Sequence, residues 1–155
     1  MALVGFVGLC LLVAAADASL TAAGVSAWHA SLAAPPGTLP MPLFRAGSLI
    51  VHLVLGTAAW VIWRHAGAQG TPKRAALRLW GWQLLFDAGW PPIFFGLHRP
   101  DAALLVMAPL LALIGLTLRA FRRLDRAAAL LMLPYALWMC YAGYLTAGFF
   151  WLNPG

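Results

Sequence analysis

The sequence predicts an all-α membrane protein, a bundle of five transmembrane helices that forms a single domain over residues 1–155. Hydrophobic residues make up 63% of the chain and charged residues only 9%, whereas soluble domains carry roughly a quarter charged residues. Five apolar runs follow one another, each near the roughly 20 residues that a helical span of a bilayer requires. These runs and their short connections use the whole chain, so no separate soluble domain is predicted.

The five runs are bounded by proline, glycine or charged residues. They cover residues 3–23, 43–63, 76–97, 102–121 and 127–150. Backbone groups in lipid must bond within their own segment, so runs of this length are predicted to be helices. A breaker run at residues 67–72 separates the second helix from the third, and a proline-rich loop separates the first two. The first run lacks a basic start, so it is predicted to be a retained helix rather than a cleaved signal.

The Lys and Arg residues predict the orientation of the bundle. With five spans, the amino terminus and the second–third and fourth–fifth connections share one side of the membrane, and that side holds eight of the ten basic residues. Only Arg45 and Arg99 lie on the other side. Because basic loops stay in the cytoplasm, the amino terminus is predicted to be cytoplasmic and the carboxyl terminus outside. The bacterial cell membrane is the expected location.

The positions of the basic residues exclude a nucleic-acid partner. The net charge is +6, but the charges lie at the ends of apolar runs and form no stripe along one helix. The sequence has no His/Cys spacing typical of zinc sites. Ser48, His52 and Asp87 include the residue types of a hydrolytic triad, without a nucleophile elbow or an oxyanion loop. No catalytic residue, metal ligand or required cofactor is therefore predicted.

Three of the runs carry polar and aromatic residues at helical spacing. Residues at i, i+4 and i+7 share one face of a helix, and an ionisable group near the bilayer centre costs about 2.5–3.5 kcal/mol, which marks it as a functional candidate. Three inward stripes of this kind would line one cavity for a flat apolar ligand. They comprise Ser48, His52 and Leu55; Gln83, Asp87, Trp90 and Phe94; and Tyr135, Trp138, Ala142, Leu145 and Thr146.

Structural explanations of the same residues remain open. Aromatic stripes also serve packing, His52 is typical of a hydrogen-bonded core histidine, and Asp87 is either neutral or paired with His52. Asp17, near the outer end of the first helix, is expected to reach the interface. The pair Pro91–Pro92 is predicted to break the third helix, because proline removes an amide donor and clashes with the preceding turn.

The order of several motifs resembles the TspO/translocator family. Residues 83–96 read QLLFDAGWPPIFFG, similar to the family pattern Q-L-x-x-N-x-x-W-x-P-x-F-F-G. The loop residues from Trp28 to Pro35, the helix-two stretch from His52 to Trp60, and the helix-five stretch from Pro134 to Asn153 match further parts of the family pattern. The resemblance extends over nearly the full length and keeps the order of the family's motifs.

The resemblance implies a five-helix bundle, commonly a homodimer, that binds a porphyrin or haem-like tetrapyrrole, or a sterol in some members. With the stripes, it gives ten predicted ligand-binding residues: Phe44, Ser48, His52, Asp87, Trp90, Phe94, Tyr135, Trp138, Ala142 and Thr146. At four of these positions the family usually has another residue: Asn at Asp87, Tyr at His52, Asn at Thr146 and Trp at Ser48. These departures indicate a divergent member with its own ligand preference.

Three functions are compatible with the sequence. The first is a membrane protein that binds, and transports or senses, a tetrapyrrole or similar flat lipophile. The second is a membrane enzyme that oxidises or degrades porphyrin, which the Ser48 departure disfavours. The third is a structural membrane subunit without a small ligand, packed through small residues such as those at positions 5–8 and 143–147.

Overall fold

The computed structural model describes residues 1–65 and 70–154, with the side chains of all of these except residue 17 and residues 20–27. The prediction for Asp17 therefore lies outside the described residues, and so does the part of the breaker run at residues 67–69.

The predicted all-α five-helix bundle is confirmed. No strand occurs in the described residues, which form five long helices and one short π-helical segment. Three of the helices, α2, α4 and α5, are long and apolar enough to cross a membrane, and the described part of α1 adds a shorter apolar stretch, Ala2–Ala16. The helices are α1 (Ala2–Ser31), α2 (Met41–Arg64), α3 (Thr71–Pro91), α4 (Pro100–Leu124) and α5 (Arg126–Leu152).

The bundle brings α2, α3 and α5 around a shared interior. Helix α2 packs against α1 and α5, while α4 packs against α3 and α5. A glycine allows α1 and α2 to approach closely: a Cβ added to Gly56 of α2 would lie 2.7 Å from the Cα atom of Val7 in α1. Helix α4 contributes buried residues to the core, but the space inside the bundle is lined by the other helices and the α1–α2 loop.

Helix α1 extends eight residues beyond the predicted end at residue 23. No proline occurs in the chain before Pro35, so nothing removes a backbone donor from the last turns. Aromatic contacts then hold the end of α1 against the segment that joins α3 to α4. The Trp28 ring lies 5.8 Å from the Phe94 ring and stacks on His98 at 4.4 Å. Residues predicted to lie in a loop are therefore helical.

The Pro91–Pro92 pair changes the type of helix and does not end it. Both prolines keep right-handed helical dihedral angles, and Pro92–Gly96 forms a π-helical turn that continues α3. The Leu97 amide donates to the Pro92 carbonyl at 3.0 Å, five residues back. The wider turn accommodates the two missing amide donors, and it places Phe94 and Phe95 in the interior. Such π-helical turns are frequent at functional sites.

Candidate ligand-binding cleft

Two adjoining cavities lie between α2, α3 and α5, with residues of α1 on one side, and together they are called the cleft here. The inner cavity has a volume of about 40 Å³ and the outer one, under the α1–α2 loop, about 30 Å³. The two share four lining residues, so they lie side by side. The shared residues are Phe44, Trp90, Phe95 and Ala142.

The structure brings nine of the ten predicted ligand-binding residues together around the cleft. Phe44, Ser48, His52, Asp87, Trp90, Trp138 and Ala142 line the inner cavity, and Phe94 and Thr146 line the outer one. Tyr135 is completely buried and stands behind Asp87, where its hydroxyl donates to the Asp87 carboxyl group. Binding of a ligand by these residues stays a prediction.

His52 and Asp87 form a buried pair at the inner end of the cleft. The side chains of both are no more than 3% exposed, and His52 Nε2 lies 2.9 Å from Asp87 Oδ2. The other ring nitrogen, Nδ1, lies 2.8 Å from the backbone carbonyl oxygen of Ser48, one helical turn earlier. A carbonyl oxygen only accepts hydrogen bonds, so Nδ1 must carry a hydrogen.

This arrangement fixes the net charge of the pair at zero. With Nδ1 protonated, the contact between Nε2 and Oδ2 needs one further proton, because two lone pairs at 2.9 Å would repel. If that proton is on Asp87, both residues are neutral; if it is on His52, a cation faces an anion. Tyr135 donates to the same Oδ2 atom at 3.0 Å in either case. The pairing that the sequence left open is therefore formed, and it presents a neutral polar group to the cleft.

Trp90 is oriented by a hydrogen-bonded chain to α5. Its indole Nε1 donates to Thr146 Oγ1 at 3.1 Å, and the Thr146 hydroxyl donates to the Ala142 carbonyl at 2.8 Å. The indole ring also stacks on Phe94, with centroids 5.5 Å apart. A side-chain hydroxyl that bonds back to its own helix has one preferred orientation, so Trp90 presents a fixed aromatic wall.

Trp138 lies directly on a glycine of α2. A Cβ added to Gly47 would come within 2.3 Å of the Trp138 ring, so any larger residue there displaces the indole. The Trp138 ring also contacts Phe44 of the same helix α2, whose ring centroid is 5.2 Å away. The sequence analysis did not identify Gly47, and the single sequence signal was a glycine inside an apolar helix. It also missed Arg45 and Met139, which line the inner cavity.

The α1–α2 loop covers the outer end of the cleft and is held by α5. The Tyr141 hydroxyl donates to the Gly37 carbonyl at 2.8 Å and accepts from the Leu39 amide at 3.1 Å. The Asn153 side chain both accepts from and donates to the backbone of Ala33. These bonds are exposed, and exposed bonds open more readily than buried ones.

The cleft is narrow in this conformation. A water molecule needs roughly 10–15 Å³ of such space, so about 40 Å³ accommodates only a few waters. A tetrapyrrole would need the side chains or the covering loop to move apart.

Neither ring nitrogen of His52 is available to ligate a haem iron, because one bonds Ser48 and the other Asp87. A porphyrin would therefore be held by stacking and polar contacts to its edge. The described residues include no group of three or more His, Cys, Asp or Glu side chains that could hold a metal ion.

The sequence is similar to known proteins along almost its whole length. The family model described as the TspO/MBR family matches residues 6–152. The tryptophan-rich protein TspO of Chlorobaculum tepidum is 32% identical, with 96% of this chain and 93% of that protein covered. Protein CrtK of Rhodobacter capsulatus is 33% identical over 92% and 90%. The translocator protein of Bos taurus is 29% identical over 77% and 70%. The chain is a multi-pass membrane protein that belongs to the TspO/MBR family.

Proposed function

We propose that this protein binds a flat lipophilic molecule, a tetrapyrrole such as protoporphyrin, in the cleft between α2, α3 and α5. The observation that carries the proposal is the lining of the inner cavity. Two indole rings, Trp90 and Trp138, line the same space as the neutral His52–Asp87 pair. An apolar, aromatic cavity with a few convergent polar groups is the usual composition of a small-molecule site.

The polar groups define which edges of the ligand the cleft accepts. Arg45 lines the same cavity as His52 and Asp87, so a ligand acid group would meet a cation, while the paired side chains would meet a polar but uncharged edge. A ligand that carries its own polar or basic group is favoured beside the pair over a second carboxylate, because Arg45 is the one arginine or lysine that lines this cavity and the first carboxylate would already face it. A sterol, with one hydroxyl on a flat apolar body, meets the same requirements.

The biological role of ligand binding is proposed from the names of similar proteins. One relative is named a translocator protein and another, from Cereibacter sphaeroides, a tryptophan-rich sensory protein. We infer that binding in the cleft serves transport or sensing of the lipophile. Degradation of the ligand by this protein is an outcome that the test below distinguishes.

Titration of the purified protein with protoporphyrin IX, followed by quenching of tryptophan fluorescence, tests the proposal. Trp138→Ala and Trp90→Ala should each weaken binding by roughly 1–3 kcal/mol, the scale for removing a buried aromatic anchor. Trp82→Ala is the matched control, because this indole is 57% exposed on the outside of α3. An unchanged dissociation constant in both cleft variants would remove the assignment. Ligand consumption under illumination would favour the degrading enzyme, and no quenching at all would favour a structural subunit.

The orientation and assembly are proposed from the sequence. The distribution of Lys and Arg favours a cytoplasmic amino terminus in the bacterial cell membrane, with the carboxyl terminus outside, and the family resemblance favours a homodimer. Single cysteines at residues 70 and 155, after removal of Cys10 and Cys140, test the orientation in intact cells. A membrane-impermeant reagent should label residue 155 and not residue 70; the reverse result would overturn the assignment. The mass of the detergent-solubilised protein tests the dimer.

A further inference from the structure

Four arginines gather at the α4–α5 turn, at the opposite end of α5 from the residues that hold the α1–α2 loop. Arg119, Arg122, Arg123 and Arg126 are all exposed, and together they line a cavity of about 350 Å³, called the arginine cluster here. The proposed ligand-binding function does not use these residues. Their positive charge therefore needs its own explanation.

No salt bridge joins a described carboxylate to any of the four arginines. The chain has four acidic residues, and the side chain of Asp17 is outside the described ones. Asp87 lies in the cleft, Asp101 pairs with Arg99 at 2.6 Å, and Asp125 pairs with His65 and accepts hydrogen bonds from backbone amides. Asp125 lies next to the cluster and offsets one of its four charges, so the cluster keeps an excess of positive charge for an external anion.

An apolar groove begins at the same arginines. Arg122 and Arg126 also line a space of about 330 Å³, called the α4–α5 groove here, with Leu118, Ala129, Leu130 and Leu133. Arg126, Leu130 and Leu133 are spaced i, i+4 and i+7, so they form one stripe down α5. That stripe runs for about 10 Å along the helix axis. Leu130 is 65% exposed and Leu133 39% exposed, so the groove is open to the surrounding lipid.

We propose that the arginine cluster and the α4–α5 groove together form a binding site for an anionic phospholipid. The planar guanidinium groups match the geometry of phosphate oxygens and bind them in a bidentate manner. Basic pockets between transmembrane helices are suited to anionic headgroups. The adjoining groove follows two membrane-spanning helices, so one acyl chain lies along it while the phosphate stays among the arginines. A soluble phosphate would use only the charged half of this surface.

Native mass spectrometry of the detergent-solubilised protein, with phosphatidylglycerol or phosphatidylcholine of equal chain length added, tests the site. The parent should retain phosphatidylglycerol in preference. The double variant Arg122→Gln/Arg126→Gln should weaken retention about 30-fold, if each arginine contributes the usual amount near a charged lipid. The control is Arg74→Gln/Arg78→Gln, which removes the same charge from the start of α3, at the same end of the bundle but outside the lining of the cluster and the groove. It should change retention much less than the double variant in the cluster, since these arginines do not contact the headgroup.

A second pair of changes tests the apolar half. Leu130→Ser/Leu133→Ser keeps all four arginines and should weaken retention of long-chain phosphatidylglycerol more than that of the dihexanoyl lipid. Equal retention of both headgroups by the parent would overturn the proposal. Losses in the α3 control equal to those in the cluster variant would also overturn it, because they would show a general attraction between charges. Competition by inorganic phosphate at concentrations equal to the lipid would assign the site to a soluble anion. Retention of the lipid by the monomer but not by the dimer would assign the groove to a second copy of the chain and overturn the proposal.

Discussion

Two aspartate–histidine pairs occur among the described side chains, and their surroundings give them different roles. His52 and Asp87 meet at 2.9 Å inside the bundle, with side chains 2% and 3% exposed. His65 and Asp125 meet at 3.1 Å at the end of the bundle that carries the arginine cluster, with side chains 36% and 19% exposed. The residue types and the separation are nearly the same. The difference lies in which other donors reach each carboxyl group.

Asp125 is a helix cap, and it needs no proton from its histidine. The backbone amides of Ala128 and Ala127 donate to its Oδ1 atom and, with the charge of His65, lower the pKa of the carboxyl group below its usual value. The hydrogen-bond partners of Asp87 are the side chains of His52 and Tyr135. Asp87 also lines the cleft, whereas Asp125 does not. Backbone donors therefore give Asp125 a structural role, while Asp87 lies where it can contact a ligand.

Replacing Asp87 by leucine should give the largest effect on stability. His52 Nε2 and the Tyr135 hydroxyl would both lose their partner inside the bundle, at a cost of about 1–3 kcal/mol for each buried polar group. Asp87→Asn is the matched control, because an amide nitrogen in the place of Oδ2 has two hydrogens, one to donate to Nε2 and one to donate to the Tyr135 oxygen. Unfolding in detergent should show a loss of about 2–5 kcal/mol for Asp87→Leu and much less for Asp87→Asn. Equal losses in the two variants would show that hydrogen bonding does not hold this pair.

Filling the space at Gly47 should disturb the cleft next most strongly. An added methyl group would overlap the Trp138 ring, and overpacking of this kind costs about 1–3 kcal/mol. Gly47→Ala should therefore weaken protoporphyrin binding by displacing the indole. Gly81→Ala is the control, since a Cβ at that position of α3 has nothing within 4 Å. Unchanged affinity in Gly47→Ala would show that ligand binding does not depend on the position of the Trp138 ring.

Removing the Asp125 cap should have a smaller effect that depends on pH. Loss of an N-cap side chain costs about 1 kcal/mol, so Asp125→Ala should unfold more readily than the parent at pH 7. The folded-state pKa of Asp125 is lowered, so its contribution is present above the ordinary carboxyl pKa and is lost as the pH falls through the lowered folded value. Unfolding curves of the two proteins should converge in acid. A gap that persists at low pH would contradict the role of the charged carboxylate, and Asp125→Ser, which keeps a cap, should show little loss at neutral pH.

The sequence was most informative about residues that lie on the same face of one helix. Ser48 and His52, or Asp87, Trp90 and Phe94, share a face whatever the rest of the fold does, because their spacing alone places them there. The spacing of residues along a helix does not show how deeply each side chain is buried. It could not distinguish Tyr135, which lies behind the carboxyl group of Asp87, from Trp138, which lines the cavity. The contact of His52 with Asp87 depends on how α2 and α3 align, which no local pattern encodes.

Other features depend on tertiary contacts that the sequence pattern does not report. The extension of α1 through Trp28 follows from aromatic packing against Phe94, and the Pro91–Pro92 pair continues as a π-helical turn because neighbouring helices enclose it. Gly47 is significant only because Trp138 of another helix lies on it. These residues could be placed only once the helices were packed together.

The central claim is that the cleft carrying the shared proton is the ligand site. Its most direct test is the affinity for protoporphyrin IX at one pH, measured in the parent, in Asp87→Asn and in Trp82→Ala. Asp87 is the one acidic residue that lines the cleft, so a neutral amide in its place removes the carboxyl group that would face the carboxylates of the bound ligand.

We expect Asp87→Asn to bind protoporphyrin IX more tightly than the parent, and Trp82→Ala, which lies outside the cleft, to bind it as the parent does. An affinity of Asp87→Asn equal to that of the parent would contradict the claim, and would leave His52 and Asp87 as a structural pair.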